Sequence, residues 1–496
     1  MIGFDHVSFS YRTPVAADGA GVEDVSLSVG SGEVVVLCGR SGCGKSTLLR
    51  LAGGLAPRFF PGKLLGGALL DGEAVDGLTT WKIARRAGSL FQNPRTQFFN
   101  VDTTGEVAFA LESAGRPEED IRTRVDATFE ELGLRSLAGR NIFRLSGGER
   151  QKVAFASIWA MRPANLLLDE PTSNLDPPST ADMAGFVKHA KESGCAVLIA
   201  EHRLSWLTGI ADSYVFLENG RLRRVMTAGE FAALEAEEVS RMGLRVRDPD
   251  EIIPRAATAR EVSTIRDAAP NPFLAARGLT LDRGGEPVLR EVDLDLFAGE
   301  VCALIGSNGA GKTTLCRTLC GFEPRARGTV TIGDATASRK KRTRVSSMVF
   351  QDVNYQLFAE SVAAEVTFGL SRRRAGAVDT NTVLRELALD DVADRHPATL
   401  SGGQKQRLAV AACVAAGKRV LVFDEPTSGI DLDGMHRVAR LLRRLADQGR
   451  AVLVITHDLE LIACACDRVL HMDGGRITEQ ARVSDEFDAI REMTGS

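Results

Sequence analysis

Short apolar runs, separated by polar turns and by longer mixed segments, recur along the whole chain. The runs lie at Val34–Cys38, 166–168, Ala196–Ala200, Val301–Ile305, 420–423 and Ala451–Ile455. Continuous apolar stretches of this length are typical of strands in a parallel sheet that is covered on both faces. Two of the runs lead into a glycine-rich turn and a helical pattern. The pattern therefore predicts an α/β fold with mainly parallel core sheets.

The chain is a tandem repeat, because its motifs return in the same order in the second half. The segment GRSGCGKS at 39–46 returns as GSNGAGKT at 306–313, and LSGGE at 145–149 returns as LSGGQ at 400–404. In each half, the aspartate of an Asp-Glu-Pro-Thr motif follows the serine of the second motif by 23 residues. A histidine follows that aspartate by 33 residues in both halves. Such equal spacings indicate a duplicated unit.

The repeat predicts two domains of one kind, at 1–235 and 271–496. The segment between them, 236–270, contains prolines and none of the repeated motifs, and we predict that it is a linker. Between the glycine-rich segment and the LSGG motif, the first half is longer than the second, and we expect most of the additional residues at 57–67.

Each glycine-rich segment matches the pattern GxxxxGK[ST] and directly follows an apolar run. Glycines let backbone N–H groups converge on phosphates, and the helix that follows adds its positive end. The lysine of such a loop contacts the β- and γ-phosphates, and the next hydroxyl, here Ser46 or Thr313, ligates Mg²⁺. We therefore predict two sites for ATP and Mg²⁺. The loop residues expected to bind ATP are Gly39, Arg40, Ser41, Gly42, Cys43, Gly44, Lys45, Ser46, Thr47, Gly306, Ser307, Asn308, Gly309, Ala310, Gly311, Lys312, Thr313 and Thr314.

The aspartate that begins each Asp-Glu-Pro-Thr motif ends an apolar run, and the glutamate follows it directly. A carboxylate at the carboxyl end of a strand can hold the Mg²⁺ that bridges the phosphates, and Asp169 and Asp424 are predicted to do so. A second carboxylate beside it can polarise the attacking water, and Glu170 and Glu425 are predicted to be these catalytic bases. The chain is therefore predicted to hydrolyse ATP.

The motif LSGGE or LSGGQ, placed 23 residues before an Asp-Glu pair, resembles the signature of ATP-binding cassette ATPases. The resemblance covers both halves and nearly the whole chain. It implies two P-loop NTPase domains, each with a mainly parallel core sheet and a helical signature subdomain. In that family two cassettes pack head to tail, and the Ser-Gly-Gly of one closes over the γ-phosphate held by the other. A helix N-terminus with glycines offers N–H donors to such an anion.

The same resemblance implies further site residues. Gln92 and Gln351 are expected to contact Mg²⁺ and the attacking water, and His202 and His457 are expected to contact the γ-phosphate. The residues expected to link the two sites are Asp176 and Asp431. The signature residues expected to complete the ATP site of the opposite half are Ser146, Gly147, Gly148, Glu149, Ser401, Gly402, Gly403 and Gln404.

The two predicted sites differ where the family places an aromatic ring on adenine. Tyr11 stands at this place in the first half. The second half offers no ring there, and Arg283 takes the position. Arginine can also stack on a base, but we expect the two sites to hold adenine unequally.

The stretches after Gln92 and Gln351 resemble those of the ATPases of energy-coupling factor importers, which take up vitamins and trace-metal ions. Each carries a second glutamine five residues on and a glutamate fourteen residues on. The residues are Gln97, Gln356, Glu106 and Glu365. The resemblance implies a peripheral motor subunit at the cytoplasmic face of the membrane, with a transmembrane coupling protein and a substrate-binding membrane subunit on separate chains. The alternative interpretation of these stretches is a solvated helical subdomain.

Composition and charge bear on the alternatives. The formal net charge of −4 provides no global attraction to nucleic acid. The alternative function, a soluble tandem-cassette translation factor acting on the ribosome, usually comes with a basic linker, whereas residues 228–270 contain nine acidic and six basic residues.

No run approaches the ~18 apolar residues that suggest a membrane span. Nine cysteines without paired spacing fit a reducing cytosol.

Overall fold

The chain folds into two compact units, Met1–Asp248 and Pro249–Ser496, in a computed structural model that describes residues 1–12, 21–92, 97–173, 175–254 and 271–494. Each unit contains a four-stranded antiparallel sheet and a six-stranded sheet that is parallel except at one edge strand. Helices accompany both sheets. The predicted α/β fold with mainly parallel core sheets is therefore confirmed.

The first unit has the strand orders β2-β1-β4-β5 and β10-β9-β3-β8-β7-β6. Its strands are β1 (Ile2–Tyr11), β2 (Val22–Val29), β3 (Val34–Cys38), β4 (Gly62–Leu70), β5 (Glu73–Ala74), β6 (Ala87–Leu90), β7 (Asn165–Asp169), β8 (Ala196–Ala200), β9 (Ser213–Glu218) and β10 (Arg221–Thr227). Its helices are α1 (Lys45–Ala52), α2 (Thr80–Arg86), α3 (Thr103–Ser113), α4 (Glu118–Glu131), α5 (Gly147–Trp159), α6 (Pro177–Glu192), α7 (Ala228–Ala232) and α8 (Ala236–Arg241).

The second unit repeats this arrangement, with the strand orders β12-β11-β14-β15 and β16-β17-β18-β13-β19-β20. Its strands are β11 (Leu274–Arg283), β12 (Glu286–Leu296), β13 (Val301–Ile305), β14 (Arg327–Ile332), β15 (Ala335–Thr336), β16 (Ser346–Val349), β17 (Val420–Asp424), β18 (Ala451–Ile455), β19 (Arg468–Asp473) and β20 (Arg476–Arg482). Its helices are α9 (Lys312–Leu319), α10 (Arg339–Val345), α11 (Val362–Thr367), α12 (Arg372–Ala375), α13 (Thr380–Glu386), α14 (Gly402–Ala415), α15 (Leu432–Asp447), α16 (Leu459–Ala465) and α17 (Phe487–Thr494).

The central strand β3 is buried on both faces, which explains its continuous apolar sequence. Successive side chains of a strand point to opposite faces of the sheet. Val34 and Val36 pack in a core that contains Phe155 of α5. Val35 packs in a second core that contains Leu48 of α1. The parallel strands β3, β7 and β8 end at one edge of this sheet, and the predicted site residues follow them there.

The compact first unit runs beyond the predicted domain limit at residue 235, because Val239 and Leu244 are buried in its core. Residues 255–270 of the predicted linker lie outside the described residues. At 57–67, where additional residues are expected, the chain enters β4, which has nine residues against six in its counterpart β14.

Candidate functional site

The first glycine-rich loop joins β3 to α1 at the carboxyl edge of the parallel sheet. Gly39 has a φ of 141°, and a Cβ atom there would lie 2.3 Å from the carbonyl oxygen of Leu217, so only glycine fits. Lys45 is buried, and its Nζ donates to the carbonyl oxygens of Gly39 and Arg40 at 2.9 and 3.2 Å. The lysine therefore lies against the loop that is predicted to hold the phosphates.

The second loop joins β13 to α9 in the same way. A Cβ atom on Gly306 would lie 2.0 Å from the carbonyl oxygen of Met472. The Nζ of Lys312 donates to the carbonyl oxygens of Gly306 and Ser307, the latter at 3.0 Å, and lies 3.3 Å from Nε2 of His457. The second unit thus brings together the lysine and the histidine that are predicted to contact the γ-phosphate.

A hydroxyl and a carboxylate are paired at each predicted Mg²⁺ position. Ser46 Oγ donates to Asp169 at 3.0 Å, and Thr313 Oγ1 donates to Asp424 at 2.8 Å. Burial raises the pKa of Asp424 to about 6, against the effect of the Thr313 hydrogen bond. Such oxygens are the ligands that Mg²⁺ takes together with phosphate oxygens, and a cation would offset the burial of the charge. The residues therefore fit Mg²⁺.

In the first unit, Glu170 lies between two of the residues that were predicted to share its site. Gln92 Nε2 donates to Glu170 Oε2 at 2.7 Å, and His202 Nε2 lies 3.5 Å from Oε1. Burial raises the pKa of the Glu170 carboxyl well above its usual range, and the charges of Asp169 and Glu201 act in the same direction. A carboxylate with a raised pKa is suited to accept a proton from water.

The second unit shares only part of this arrangement. His457 Nε2 lies 3.7 Å from Glu425 Oε1. Gln351 is exposed, whereas Gln92, which donates to Glu170, is half-buried. The two glutamines therefore differ, although their sequence positions are equivalent.

The signature residues form the first turn of α5 and of α14. Ser146 Oγ accepts from the N–H of Glu149 at 3.2 Å, and the Glu149 carboxylate accepts from the N–H of Ser146 at 2.7 Å. Ser401 and Gln404 form the same reciprocal pair at 3.3 and 3.2 Å. This capping box explains the residue types at the two ends of the motif. The other N–H groups of such a first turn have no partner within their own helix.

The two aspartates expected to link the sites are helix caps. Asp176 accepts from the N–H of Ser179 at 3.1 Å at the start of α6. Asp431 accepts from the N–H of Gly434 at 2.8 Å at the start of α15. Their role between the sites stays a prediction.

The predicted adenine position of the first unit holds a ring that is fixed to the phosphate-loop helix. The Tyr11 hydroxyl lies 3.0 Å from Thr47 Oγ1 and accepts from the guanidinium of Arg50 at 3.0 Å. Tyr11 also packs edge-on against Phe9.

The corresponding position of the second unit is an ion-pair cluster. Arg283 donates to the Glu323 carboxylate at 2.6 Å, and Arg317 on α9 donates to the same oxygen at 3.0 Å. Glu323 thus links the end of β11 to the phosphate-loop helix without a ring.

The second glutamine of each stretch after the site closes a short loop on its own strand. Gln97 Nε2 donates to the carbonyl oxygen of Ser89 at 3.2 Å. Gln356 Nε2 donates to that of Met348 at 2.8 Å. The side-chain oxygen of each glutamine also accepts from the backbone N–H of the phenylalanine that directly follows the strand, Phe91 or Phe350. Residues 93–96, which complete the first of these loops, lie outside the described residues.

The glutamate of each stretch anchors the loop by accepting hydrogen bonds from its backbone. Glu106 on α3 and Glu365 on α11 are both 2% exposed. One carboxylate oxygen of each accepts two backbone N–H groups. The donors are Phe99 and Asn100 at 2.9 and 2.8 Å, and Phe358 and Ala359 at 2.7 and 2.6 Å.

The anchored loops present exposed aromatic rings that the sequence pattern did not indicate. Phe99, 73% exposed, stacks on Phe109 with ring centroids 4.8 Å apart. Phe358, 68% exposed, lies 6.2 Å from Phe368. We call these two sets the aromatic pairs. Exposed rings at equivalent places in both units are typical of an interaction surface. No helix within the described ranges is long and apolar enough to cross a membrane.

Two further buried carboxylates adjoin the site and were not predicted. Glu201 precedes His202, and Asp458 follows His457. Their exposed fractions are 2% and 3%. The repeat does not indicate them, because the carboxylate lies before the histidine in the first half and after it in the second.

Comparisons with known proteins agree with this geometry. The family model described as ABC transporter matches residues 22–173 and 289–428. A Treponema denticola protein named "Putative ABC transporter ATP-binding protein" is 42% identical over 480 residues, which cover 97% of each chain. The Bacillus subtilis protein named "Putative HMP/thiamine import ATP-binding protein YkoD" is 31% identical and covers 95% of this chain and 89% of its own.

Solved structures with both halves are also similar. One titled "RNase-L Inhibitor" covers 98% of this chain and 93% of its own, with a TM-score of 0.63 and 21% identity. A complex of an archaeal ribosomal stalk protein with the ribosome recycling factor aABCE1 gives a TM-score of 0.61 at 21% identity, covering 98% of this chain and 92% of its own. At this identity the likeness shows a common fold.

Proposed function

The chain belongs to the ABC transporter family of ATPases, and from this premise we propose that it is the ATP-hydrolysing motor subunit of a membrane importer. The importer is of the energy-coupling factor type and takes up a vitamin or a trace-metal ion. A transmembrane coupling protein and a substrate-binding membrane subunit on separate chains are the proposed partners. The Bacillus subtilis relative, whose printed name assigns HMP/thiamine import to that protein, supports this class of substrate.

The observation that carries the proposal is the equivalence of the aromatic pairs. In each pair one ring, Phe99 or Phe358, precedes α3 or α11, and its backbone N–H donates to the buried glutamate of that helix. The other ring, Phe109 or Phe368, lies on α3 or directly after α11. A loop that is fixed to the catalytic region can pass a change at ATP to whatever covers its rings. Apolar helix ends of a membrane protein suit such rings, because burial of an aromatic side chain is strongly favourable.

For hydrolysis, Glu170 and Glu425 accept a proton from water as it attacks the γ-phosphate. Gln92 orients the Glu170 carboxylate and the water, and Lys45 and Lys312 hold the phosphates. Mg²⁺, bound beside the hydroxyl–carboxylate pairs, would neutralise charge on the β- and γ-phosphates. These groups act mainly by placement and electrostatics, as is usual in phosphoryl transfer.

We further propose that each ATP site is shared between the halves. The first turns of α5 and α14 carry glycines and backbone N–H groups that can bind an anion. Residues 401–404 would close on ATP at the first loop, and residues 146–149 on ATP at the second. ATP would then draw the halves together, and hydrolysis would release them.

The alternative, a soluble tandem-cassette ATPase acting on the ribosome, lacks a specific supporting observation. The solved structures of ribosome-associated factors share the fold at 21% identity, which carries no function to this chain. The excess of acidic residues at 228–270 is unfavourable for contact with RNA phosphates.

Affinity purification from detergent-solubilised cells of the source organism tests the proposal. We expect the tagged full chain to recover a polytopic membrane protein. Substituting Phe99→Glu and Phe358→Glu together should abolish that recovery, because a charge would replace each exposed ring. Trp81→Glu is the matched control, since Trp81 on α2 is 58% exposed and lies outside both loops. Recovery of ribosomal proteins in place of a membrane protein would contradict the proposal.

A further inference from the structure

The two units secure the same threonine with carboxylates from opposite sides of the histidine. Thr172 and Thr427 are the last residues of the two Asp-Glu-Pro-Thr motifs. In the first unit, Thr172 Oγ1 donates to Glu201, the residue before the histidine, at 2.7 Å. In the second unit, Thr427 Oγ1 donates to Asp458, the residue after the histidine, also at 2.7 Å. The contact is retained although the residue that makes it has moved.

The contacts of the second carboxylate oxygen explain why the first unit has a glutamate and the second an aspartate. Glu201 follows directly after β8, and its longer side chain curls back to accept from the N–H groups of His202 and Arg203 at 2.7 and 3.2 Å. Asp458 is the N-cap of α16 and accepts from the N–H of Leu461 at 3.2 Å. A short Asp side chain suits a cap, whereas the position before the histidine needs the extra methylene of Glu.

The local structure after the histidine also differs between the units. With Asp458 as its cap, the second unit forms α16 directly after the histidine loop. The first unit has Arg203 at that position and forms only a 3₁₀ turn, Ser205–Leu207. The bond to the threonine is thus retained although the structure after the histidine differs.

The threonine stands two residues after the predicted catalytic glutamate. Glu170 has a φ of 46°, and its N–H donates to the carbonyl oxygen of Ala200 at 2.8 Å. The bond from Thr172 to Glu201 ties the far end of this turn to the segment that carries His202. Thr172 and Glu201 are 1% and 2% exposed, so water does not substitute for either partner. The turn and the histidine are therefore held by one buried contact.

We propose that Glu201 and Asp458 are positioning residues for ATP hydrolysis and that they are interchangeable across the histidine. Each fixes the threonine, and thereby the catalytic glutamate relative to the histidine at the γ-phosphate. The proposal rests on the proposed role of Glu170 and Glu425 as bases. It does not depend on the membrane partner, because ATP turnover by the purified chain reports on it.

The test moves the carboxylate within the first unit of the full-length chain. Glu201→Thr alone should reduce kcat to about half, the floor when one of two independent sites is lost, with KM within about twofold. Glu201→Thr with Arg203→Asp recreates the Thr-His-Asp order of the second unit and should restore kcat to at least about four-fifths. Arg203→Asp alone measures the loss of the arginine itself. Wild-type kcat in Glu201→Thr, or a double variant no faster than the single one, would overturn the proposal.

The reciprocal exchange in the second unit separates positioning from stability. Asp458→Arg and the pair Thr456→Glu with Asp458→Arg both remove the cap of α16, so both should lower the midpoint of thermal unfolding. Only the pair returns a carboxylate to Thr427, and only the pair should recover kcat. If kcat follows the unfolding midpoint in both variants, the carboxylate is structural and the proposal fails. Loss of importer partners in the purification experiment would leave this result unaffected.

Discussion

Both predicted catalytic glutamates have backbone conformations that non-glycine residues seldom adopt. Glu170 and Glu425 have φ values of 46° and 50°. Such strain costs on the order of 1–3 kcal/mol and persists where surrounding contacts fix it. The N–H groups of these residues donate to Ala200 and Ile455 of the neighbouring strands at 2.8 and 2.9 Å. The fixed turn holds each carboxylate beside the histidine of its unit, at 3.5 Å in the first and 3.7 Å in the second.

Glu170→Gln and Glu425→Gln test the catalytic assignment separately. Each keeps the shape and removes the base, which is worth about 10²–10⁴-fold at its own site. We expect each single variant to lose at least about half of the total turnover, and the double variant to lose nearly all of it. ATP turnover by the purified chain is the measurement, with nucleotide binding as the control for folding. A single variant with wild-type turnover would show that its site does not contribute.

Tyr11 and Arg283 should contribute unequally to nucleotide affinity. Tyr11→Ala removes a ring held against the phosphate-loop helix, and we expect ATP binding at that site to weaken by about 1 kcal/mol, or about fivefold. Arg283→Ala removes a guanidinium already paired with Glu323, and its effect should be smaller. Titration with a fluorescent ATP analogue compares them, and equal effects would contradict this difference between the sites.

The sequence indicates most residues that the structure gathers at the edge of each parallel sheet. Repeated spacing was sufficient to select Ser46 with Asp169, for example, because both follow strands that the apolar pattern locates. The repeated spacing does not indicate Glu201 or Asp458, because they occupy different positions relative to the histidine in the two halves. Gln351 shows the opposite limit, since it is exposed although its sequence position is equivalent to that of the half-buried Gln92.

The loops that carry Phe99 and Phe358 are each anchored by a buried glutamate. Glu106→Ala would leave two backbone N–H groups without their acceptor, at a cost of about 1.5–3 kcal/mol for each bond to the charged group. We expect the amides of Phe99 and Asn100 to lose protection from hydrogen exchange, while β3 stays protected. Glu112→Ala, an exposed glutamate on the same helix, is the matched control. Unchanged protection in Glu106→Ala would contradict the anchoring role.

Elements buried on both faces were the most predictable. The bounds of β3, β8, β13 and β18 match the apolar runs, since a fully buried strand has no polar position to obscure its ends. The 3₁₀ turn in place of a helix after His202 is not predictable from periodicity alone, because Arg203 stands where the second unit has the cap Asp458 and Gly209, with a φ of 75°, follows the turn. Nor did composition show that the rings of the aromatic pairs would be exposed.

At the scale of the whole molecule, covalent fusion gives each half a high effective concentration for the other. The proposed sharing of the sites makes a directional prediction, tested in a Glu170→Gln, Glu425→Gln chain with a protease site engineered within 255–270. Gly402→Asp should reduce photolabelling of the first half by an azido-ATP probe, and Gly147→Asp should reduce labelling of the second. Each charge would repel the phosphates bound by the opposite loop. Loss of labelling in the half that carries the substitution would contradict sharing.

The most direct test of the central claim is ATP turnover by the chain alone and in the membrane complex that it recovers, reconstituted in lipid vesicles. The proposed motor should turn over faster in the complex, and the Trp81→Glu chain should do the same. The Phe99→Glu, Phe358→Glu chain should keep the rate of the free protein. Turnover that is unchanged by the membrane complex and raised by ribosomes would contradict the account.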